Sequence, residues 1–334
     1  MTIKQCAVKA GGRLKTDINE IRNLIDKCMA KNRCVADVRY NEPMSFHTTF
    51  KTGGPADCWI RPDAGNFPQF CSGLLSDARE RGIPVFILGA GANIVVSDRG
   101  IRGIVLDIGS WKGCSQTEEG FTVYSGTAMD DASEYAASAG LAGFEFLAGM
   151  PGTIGGALWM NASCYGSEIA DVLILARVIG REGEKTGGYE TREIFNGPNA
   201  GFGYKRSPFQ QMDCLILSAC FNLKPGDINI ICGKMEKNRQ DRKEKGHYLF
   251  PCAGSAFKNN HDFGKPAGQI IDELGLRGYR IGGAQIAPFH GNIVINTGNA
   301  SADDIRSLMN EIAAKVKNAA GFDLEPEILF IGEW

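Results

Sequence analysis

The chain has 334 residues, 43% hydrophobic and 22% charged, a composition that supports a packed core and excludes a disordered chain. Lysine and arginine (36) nearly balance aspartate and glutamate (38), so no global basic field draws nucleic acid or a membrane surface, and an anionic ligand must be held locally. Length predicts about two domains, and glycine, 43 of 334 residues or about 13% against a usual ~7%, signals tight turns or bare backbone.

Residues 1–15 carry scattered lysines without the apolar run of a leader, and no stretch of ~18 residues is apolar, so a cytoplasmic protein without membrane spans is expected. Eleven cysteines, an odd number, show no CxxC pair and no Cys/His cluster at zinc spacing; reduced thiols and no metal are expected. Ile18, Ile21, Leu24, Ile25, Cys28 and Met29 predict a helix over 16–31, capped by Thr16 or Asp17. A strand (58–61), a helix through Phe67, Phe70, Leu74, Leu75 and Ala78, and a strand over 84–88 follow. Strands at 94–96, 103–108, 120–124, 172–180 and 214–223 then surround one helix at 129–139. The charged run 234–245 reads as a solvated helix face, with a domain boundary near 224. Ser301 and Asp304 have capping-box spacing ahead of a helix with Ile305, Leu308, Ile312 and Val316 on one face, and a strand is expected over 326–331.

Several short segments could carry chemistry. Gly89-Ala90-Gly91-Ala92-Asn93 follows a strand, but Ile94 occupies the place of a third fingerprint glycine and another strand follows, so the segment is not a dinucleotide turn of the Rossmann kind. It can still form a nest of N–H groups for a phosphate, or a plain tight turn. Residues 148–166 pack Gly149, Gly152, Gly155 and Gly156 around Pro151 and Thr153, which suits either close backbone approach to a ligand or a crowded helix start. Gly254-Ser255 with Lys258 and Asn259 puts a hydroxyl, an amine and an amide in one loop, with Cys252 as a rival proton donor. Glu327 falls among apolar strand residues, where burial without a cation would favour the protonated acid; a strand-end charge in solvent is the competing reading. His290 has no neighbouring metal ligands, and Lys205-Arg206 offers two cations that could clamp a carboxylate or phosphate.

In this order, the blocks 47–57, 88–93, 149–166, 202–207, 253–259, 267–296 and 324–332 resemble the UDP-N-acetylenolpyruvoylglucosamine reductase family, flavoenzymes of peptidoglycan precursor synthesis, in the shorter subtype without a tyrosine loop. The resemblance implies an α+β fold with a two-lobed FAD domain of the vanillyl-alcohol-oxidase (PCMH) type (43–223, lobes 43–108 and 109–223). It implies a smaller α+β substrate domain (224–334), and leaves 1–42 as an N-terminal helical extension. FAD is expected to be non-covalent, with Thr52, Gly53, Gly54, Gly89, Ala90, Gly91, Ala92, Asn93, Gly149, Pro151, Gly152, Thr153, Gly155, Gly156 and Asn161 as its contacts.

The implied reaction uses NADPH to reduce the flavin, which then delivers a hydride to C3 of UDP-N-acetylglucosamine enolpyruvate to give UDP-N-acetylmuramate. By matching position Ser255 protonates C2 and Glu327 assists at the enolate, with Tyr204, Arg206, Asn259 and His290 on the substrate side. Where the family has Tyr-Arg-x-Ser, this chain has Tyr204-Lys205-Arg206-Ser207: either Lys205 fills the arginine's catalytic place as a point charge or a local shift brings Arg206 into it, and Lys205 is favoured because Ser207 keeps its register with Tyr204. Gly246-His247-Tyr248 stands where the subtype often has Gln-Pro, leaving the lysine near the nucleotide diphosphate open between Lys243 and Lys245. A monomer is expected. The rival readings are another FAD oxidoreductase of the same superfold and a nucleotide-sugar-binding homologue with impaired catalysis.

Overall fold

The structure, a computed structural model, describes residues 17–181 and 188–334; Thr16 and Cys6 lie outside them. In the first lobe, helix α1 (Ile18–Asn32) starts at Asp17, whose carboxylate accepts from the Asn19 N–H, and buries Ile21, Leu24, Ile25 and Cys28. Those side chains pack on α2 (Phe67–Glu80) and on Ile60, Ile104 and Leu106 of a four-stranded sheet. The sheet runs β1 (Ala36–Pro43), β2 (Pro55–Pro62), β5 (Ile101–Asp107), β3 (Val85–Leu88); β1 and β2 are antiparallel, the other pairs parallel. Residues 17–42 are therefore built into this lobe and do not form a separate helical extension. The alternation of Ala36, Val38 and Tyr40 with Asp37, Arg39 and Asn41 is the strand signal that a helical reading of the segment passes over.

The second lobe is a five-stranded sheet in the order Glu190–Phe195, Leu173–Gly180, Cys214–Phe221, β7 (Gly120–Tyr124), β6 (Cys114–Thr117). Helices α3 (Met129–Ser138) and α4 (Ile154–Met160) cover it over a core that includes Phe121, Phe144, Ile154, Leu158 and Phe221. A four-residue turn of helix, α5 (Ile169–Val172), leads into the strand that follows. Helix α6 (Ile228–Glu244) packs Ile231 and Met235 on Ala137 and Ala148, so the charged run is a solvated face as expected, but the helix leans on the second lobe.

The remaining unit pairs Cys252–Ser255, Ile293–Asn296, Ala284–Ile286 and Arg280–Ile281, with α7 (Ala267–Glu273) and α8 (Ala302–Ala320) beside them. The capping box forms as the spacing predicts: Asp304 N–H donates to Ser301 Oγ at 3.0 Å and Ser301 N–H to Asp304 Oδ2 at 3.1 Å. The last strand covers only Leu329–Ile331 and lies parallel to β4 (Ile94–Val96). Glu327 precedes it, because Pro326 has no N–H to give a ladder and the Glu327 N–H donates instead to Ala256 O at 2.9 Å. Among the described residues no helix is long and apolar enough to cross a membrane, and no group of three or more His, Cys, Asp or Glu side chains is placed to hold a metal.

Candidate active site

A cavity of about 1210 Å³ opens where the two lobes and the C-terminal unit meet. It exceeds the ~300–1,000 Å³ of a typical small-molecule pocket. One wall is the turn between β3 and β4. Gly89, Ala90, Gly91, Ala92 and Asn93 all line it, and among the described residues none of their N–H groups donates to a protein acceptor. Gly91 has φ +62°, and a Cβ there would fall 2.1 Å from His47 O, so the turn needs glycine for its own shape. Pro151, Gly152, Thr153, Gly155 and Gly156 line the same wall. The N–H groups of Gly152 and Thr153 are likewise uncommitted, whereas Gly155 N–H donates to Ser125 O at 2.8 Å and Gly156 N–H to the capping Thr153 Oγ1. These uncommitted N–H groups are donors that an anion can use without a lysine.

Five of the expected cofactor residues stand elsewhere. Thr52, Gly53 and Gly54 do not line the cavity. Gly54 N–H donates to Ser97 O at 2.9 Å, and a Cβ on Gly54 would meet Asp98 O at 2.0 Å, so this glycine serves close contact between two backbone segments. Gly149 faces a separate pocket of about 490 Å³; its N–H donates to Asp130 Oδ1, and its carbonyl accepts from Tyr248 Oη and Arg242 Nε. Asn161 is fully buried, its Nδ2 donating to Gly203 O and its Oδ1 accepting from Ala170 N–H, which anchors the loop carrying Lys205. The glycine surplus thus divides between ligand approach and backbone packing, a division that composition does not express.

Opposite the glycine wall, Lys205 Nζ lies 2.8 Å from Glu327 Oε1, with side chains only 11% and 13% exposed. Glu327 is therefore buried with a cation beside it, not without one. Its carbonyl accepts from Asn93 Nδ2 at 3.1 Å, which ties it to the glycine turn. Lys205 adopts φ +53°, a left-handed conformation that a non-glycine residue keeps only where its surroundings impose it. Gly203 and Arg206 exchange backbone hydrogen bonds on either side, and Gln210 Nε2 donates to the Lys205 carbonyl. Lys205 and Tyr204 line the cavity; Arg206 is exposed and does not.

Ser255 lines the cavity at the end of its strand, in register with Ile293. Asn292, buried beside it, accepts from Phe257 N–H and donates to Phe257 O, fixing the serine loop against the loop of His290. Asn259 and His290 also line the cavity; Asn259 N–H donates to Tyr204 Oη, and its Oδ1 accepts from Ala267 N–H at the start of α7. Cys252 does not line it, which removes it as a rival donor, and burial pushes its thiol above the ordinary range, so it stays an unreactive thiol. Lys258 turns away to pair with Glu325.

Of the two open lysines, Lys245 lines the main cavity and Lys243 the smaller one. Sequence reasoning missed Tyr165, Arg242 and His247, which also reach the main cavity. Tyr165, at φ +54°, donates from its hydroxyl to Asp241 Oδ2 at 2.9 Å, clasping its hairpin to α6; the Tyr165-Gly166 pair was the turn signal that could have found it.

Known proteins resemble this chain in sequence and fold. A relative from Treponema denticola named UDP-N-acetylenolpyruvoylglucosamine reductase is 37% identical over 89% of this chain and 94% of its own. The chain belongs to the UDP-N-acetylenolpyruvoylglucosamine reductase family. A Borreliella burgdorferi reductase of that name is 39% identical over 86% of this chain and 93% of its own. The crystal structure of the Thermus caldophilus reductase superposes with a TM-score of 0.71 at 29% identity, covering 89% of this chain and 99% of that one. Residues 245–331 match the family's C-terminal domain, and residues 71–186 match an FAD binding domain.

The chain is thus an α+β, FAD-dependent oxidoreductase with the two-lobed flavin domain of the PCMH type. The residues present fit that cofactor: two runs of N–H groups without protein acceptors among the described residues are available to a diphosphate, and Gly156, with only Thr153 Oγ1 within 4 Å of a built Cβ, leaves open space beside them.

Proposed function

We propose that this chain reduces UDP-N-acetylglucosamine enolpyruvate to UDP-N-acetylmuramate, using FAD and NADPH, in peptidoglycan precursor synthesis. The observation that carries the reading is the convergence of Ser255, Lys205 and Glu327 on the cavity walled by 89–93 and 151–156. When bound, FAD supplies the two-electron chemistry that carries a hydride from NADPH to the enolpyruvyl group. Lys205 holds the substrate carboxylate, since an ammonium has three donors and Glu327 takes one at 2.8 Å. Its charge stabilises the enolate that builds up as the hydride arrives, and Glu327 keeps the ammonium in place.

Ser255 donates the proton to C2. A hydroxyl is a weak acid, so this role requires a strongly basic carbon or a relay that resupplies the proton. Tyr204, Asn259 and His290 contact the substrate; Arg206, exposed to solvent, stays outside the reaction. The protein works in the cytoplasm as a monomer.

The test is anaerobic: reduce the bound flavin with NADPH, add UDP-N-acetylglucosamine enolpyruvate, and follow the visible absorption of oxidised flavin. Its return at a catalytic rate is expected. A flavin that reduces with NADPH and stays reduced overturns the substrate assignment.

A further inference from the structure

His247 occupies a position that the reaction above leaves unused. It lines the main cavity together with His290, Arg242 and Lys245. Its Nδ1 is sealed inside the protein with no hydrogen-bond partner, and its ring lies 6.0 Å, centroid to centroid, from that of His290. Burial, reinforced by Arg242, His290 and Lys245, lowers its pKa to about 4, so the ring is neutral near pH 7.

A neutral imidazole carries one N–H. With Nδ1 closed off, Nε2 is the nitrogen left to the cavity, and placing the proton there avoids an orphaned buried donor. His290 is fixed the same way. Its Nδ1 accepts from the Asn292 N–H at 3.1 Å, and its pKa too is lowered, by burial first and then by Lys245. Two neutral rings therefore keep Nε2 as the donor nitrogen, neither has a protein acceptor for it among the described residues, and both residues line the cavity. Beside them stand two cations, with Asp241 bound to Lys245 at 2.8 Å as the facing countercharge.

We infer that His247, paired with His290, is a ligand-contacting hydrogen-bond donor that grips a diphosphate oxygen of the nucleotide entering this cavity. The inference rests on the proposed reaction, in which both the UDP-sugar and NADPH bring a diphosphate. A neutral donor suits a site that must release as well as bind: it adds direction to the pull of Lys245 and Arg242 without adding charge.

The FAD-loaded protein and its His247→Phe and His247→Gln variants are titrated with UDP and, separately, with NADP⁺, following the flavin spectrum, and KM is measured for both reactants. Phe keeps the ring volume without a donor, and Gln restores one. The expected result is a loss of affinity of about ten- to a hundredfold in the Phe variant, with kcat and flavin content kept, and substantial recovery in the Gln variant. A loss confined to UDP assigns the grip to the sugar nucleotide, and one confined to NADP⁺ assigns it to the dinucleotide. Unchanged affinity for both, or a Gln variant as weak as Phe with normal flavin content, overturns the inference. Should Phe lose its flavin, His247→Leu, which also lacks a donor, replaces it against Gln. A wild-type protein that reduces no enolpyruvyl substrate would refute the proposed reaction instead, so the two failures are distinguishable.

Discussion

The ammonium of Lys205 and the carboxylate of Glu327 sit 2.8 Å apart, one on a left-handed loop after the second lobe's helices and the other just before the last strand. The pair joins two segments that share no secondary structure. Its geometry separates the roles of the two adjacent cations, because Arg206 next door faces solvent.

Lys205→Ala is expected to lower kcat by about 10²–10³-fold, and Arg206→Ala to leave it within about twofold, as usual for an exposed residue outside the site. Steady-state kinetics on both variants decides it; the reverse pattern would shift the register by one residue.

Ser255→Ala should leave reduction of the flavin by NADPH nearly intact while slowing its reoxidation by substrate by about 10²–10⁴-fold. Stopped-flow absorbance resolves the two half-reactions. Equal loss in both would make the serine a structural residue.

Two glycine-to-alanine changes should part company. In Gly91→Ala the left-handed backbone costs about 1–3 kcal/mol, and the clash with His47 O adds to it, so Tm falls with or without flavin. Gly156→Ala sits in α4 with open space around its Cβ; it gains up to ~1 kcal/mol of helix propensity, yet intrudes on the cavity. Apo-protein Tm should hold or rise while FAD affinity drops about tenfold, read from released flavin fluorescence.

Burial alone would raise the Asp304 carboxyl, but N–H donors from Gly283 and Ser301 bring it below the ordinary range. A depressed carboxyl stabilises the fold above its unfolded pKa of ~3.9, and that contribution disappears as pH falls through the lower folded value. Urea unfolding from pH 6 to pH 2 should show wild type losing about 1 kcal/mol more than Asp304→Asn, in keeping with the value of a cap.

Local signals made much of this molecule legible. The spacing of Ile305, Leu308, Ile312 and Val316 with the Ser301 cap gives α8, and β7 has the bounds its pattern predicts. Two glycines in a turn between strands, with Ile94 in place of the third fingerprint glycine and a strand following, led away from a Rossmann reading. What escaped depends on distant partners. Nothing near Gly54 announces that Asp98 will press against it, nor near Asn161 that both its amide atoms will be consumed by other segments. The strand around Glu327 came out short for the same reason: Ala256, far along the chain, claims its N–H.

The bond from Asn93 Nδ2 to the Glu327 carbonyl spans 234 residues of sequence. A contact of that separation closes a very long loop, whose entropy is lost before the bond returns anything. The bond is reinforced by the parallel pairing of Leu329–Ile331 with β4, and Leu329 and Ile331 themselves line the cavity. The end of the chain is therefore a wall of the site as well as the carrier of its carboxylate, and the pair with Lys205 reads out that assembly of the whole chain is complete.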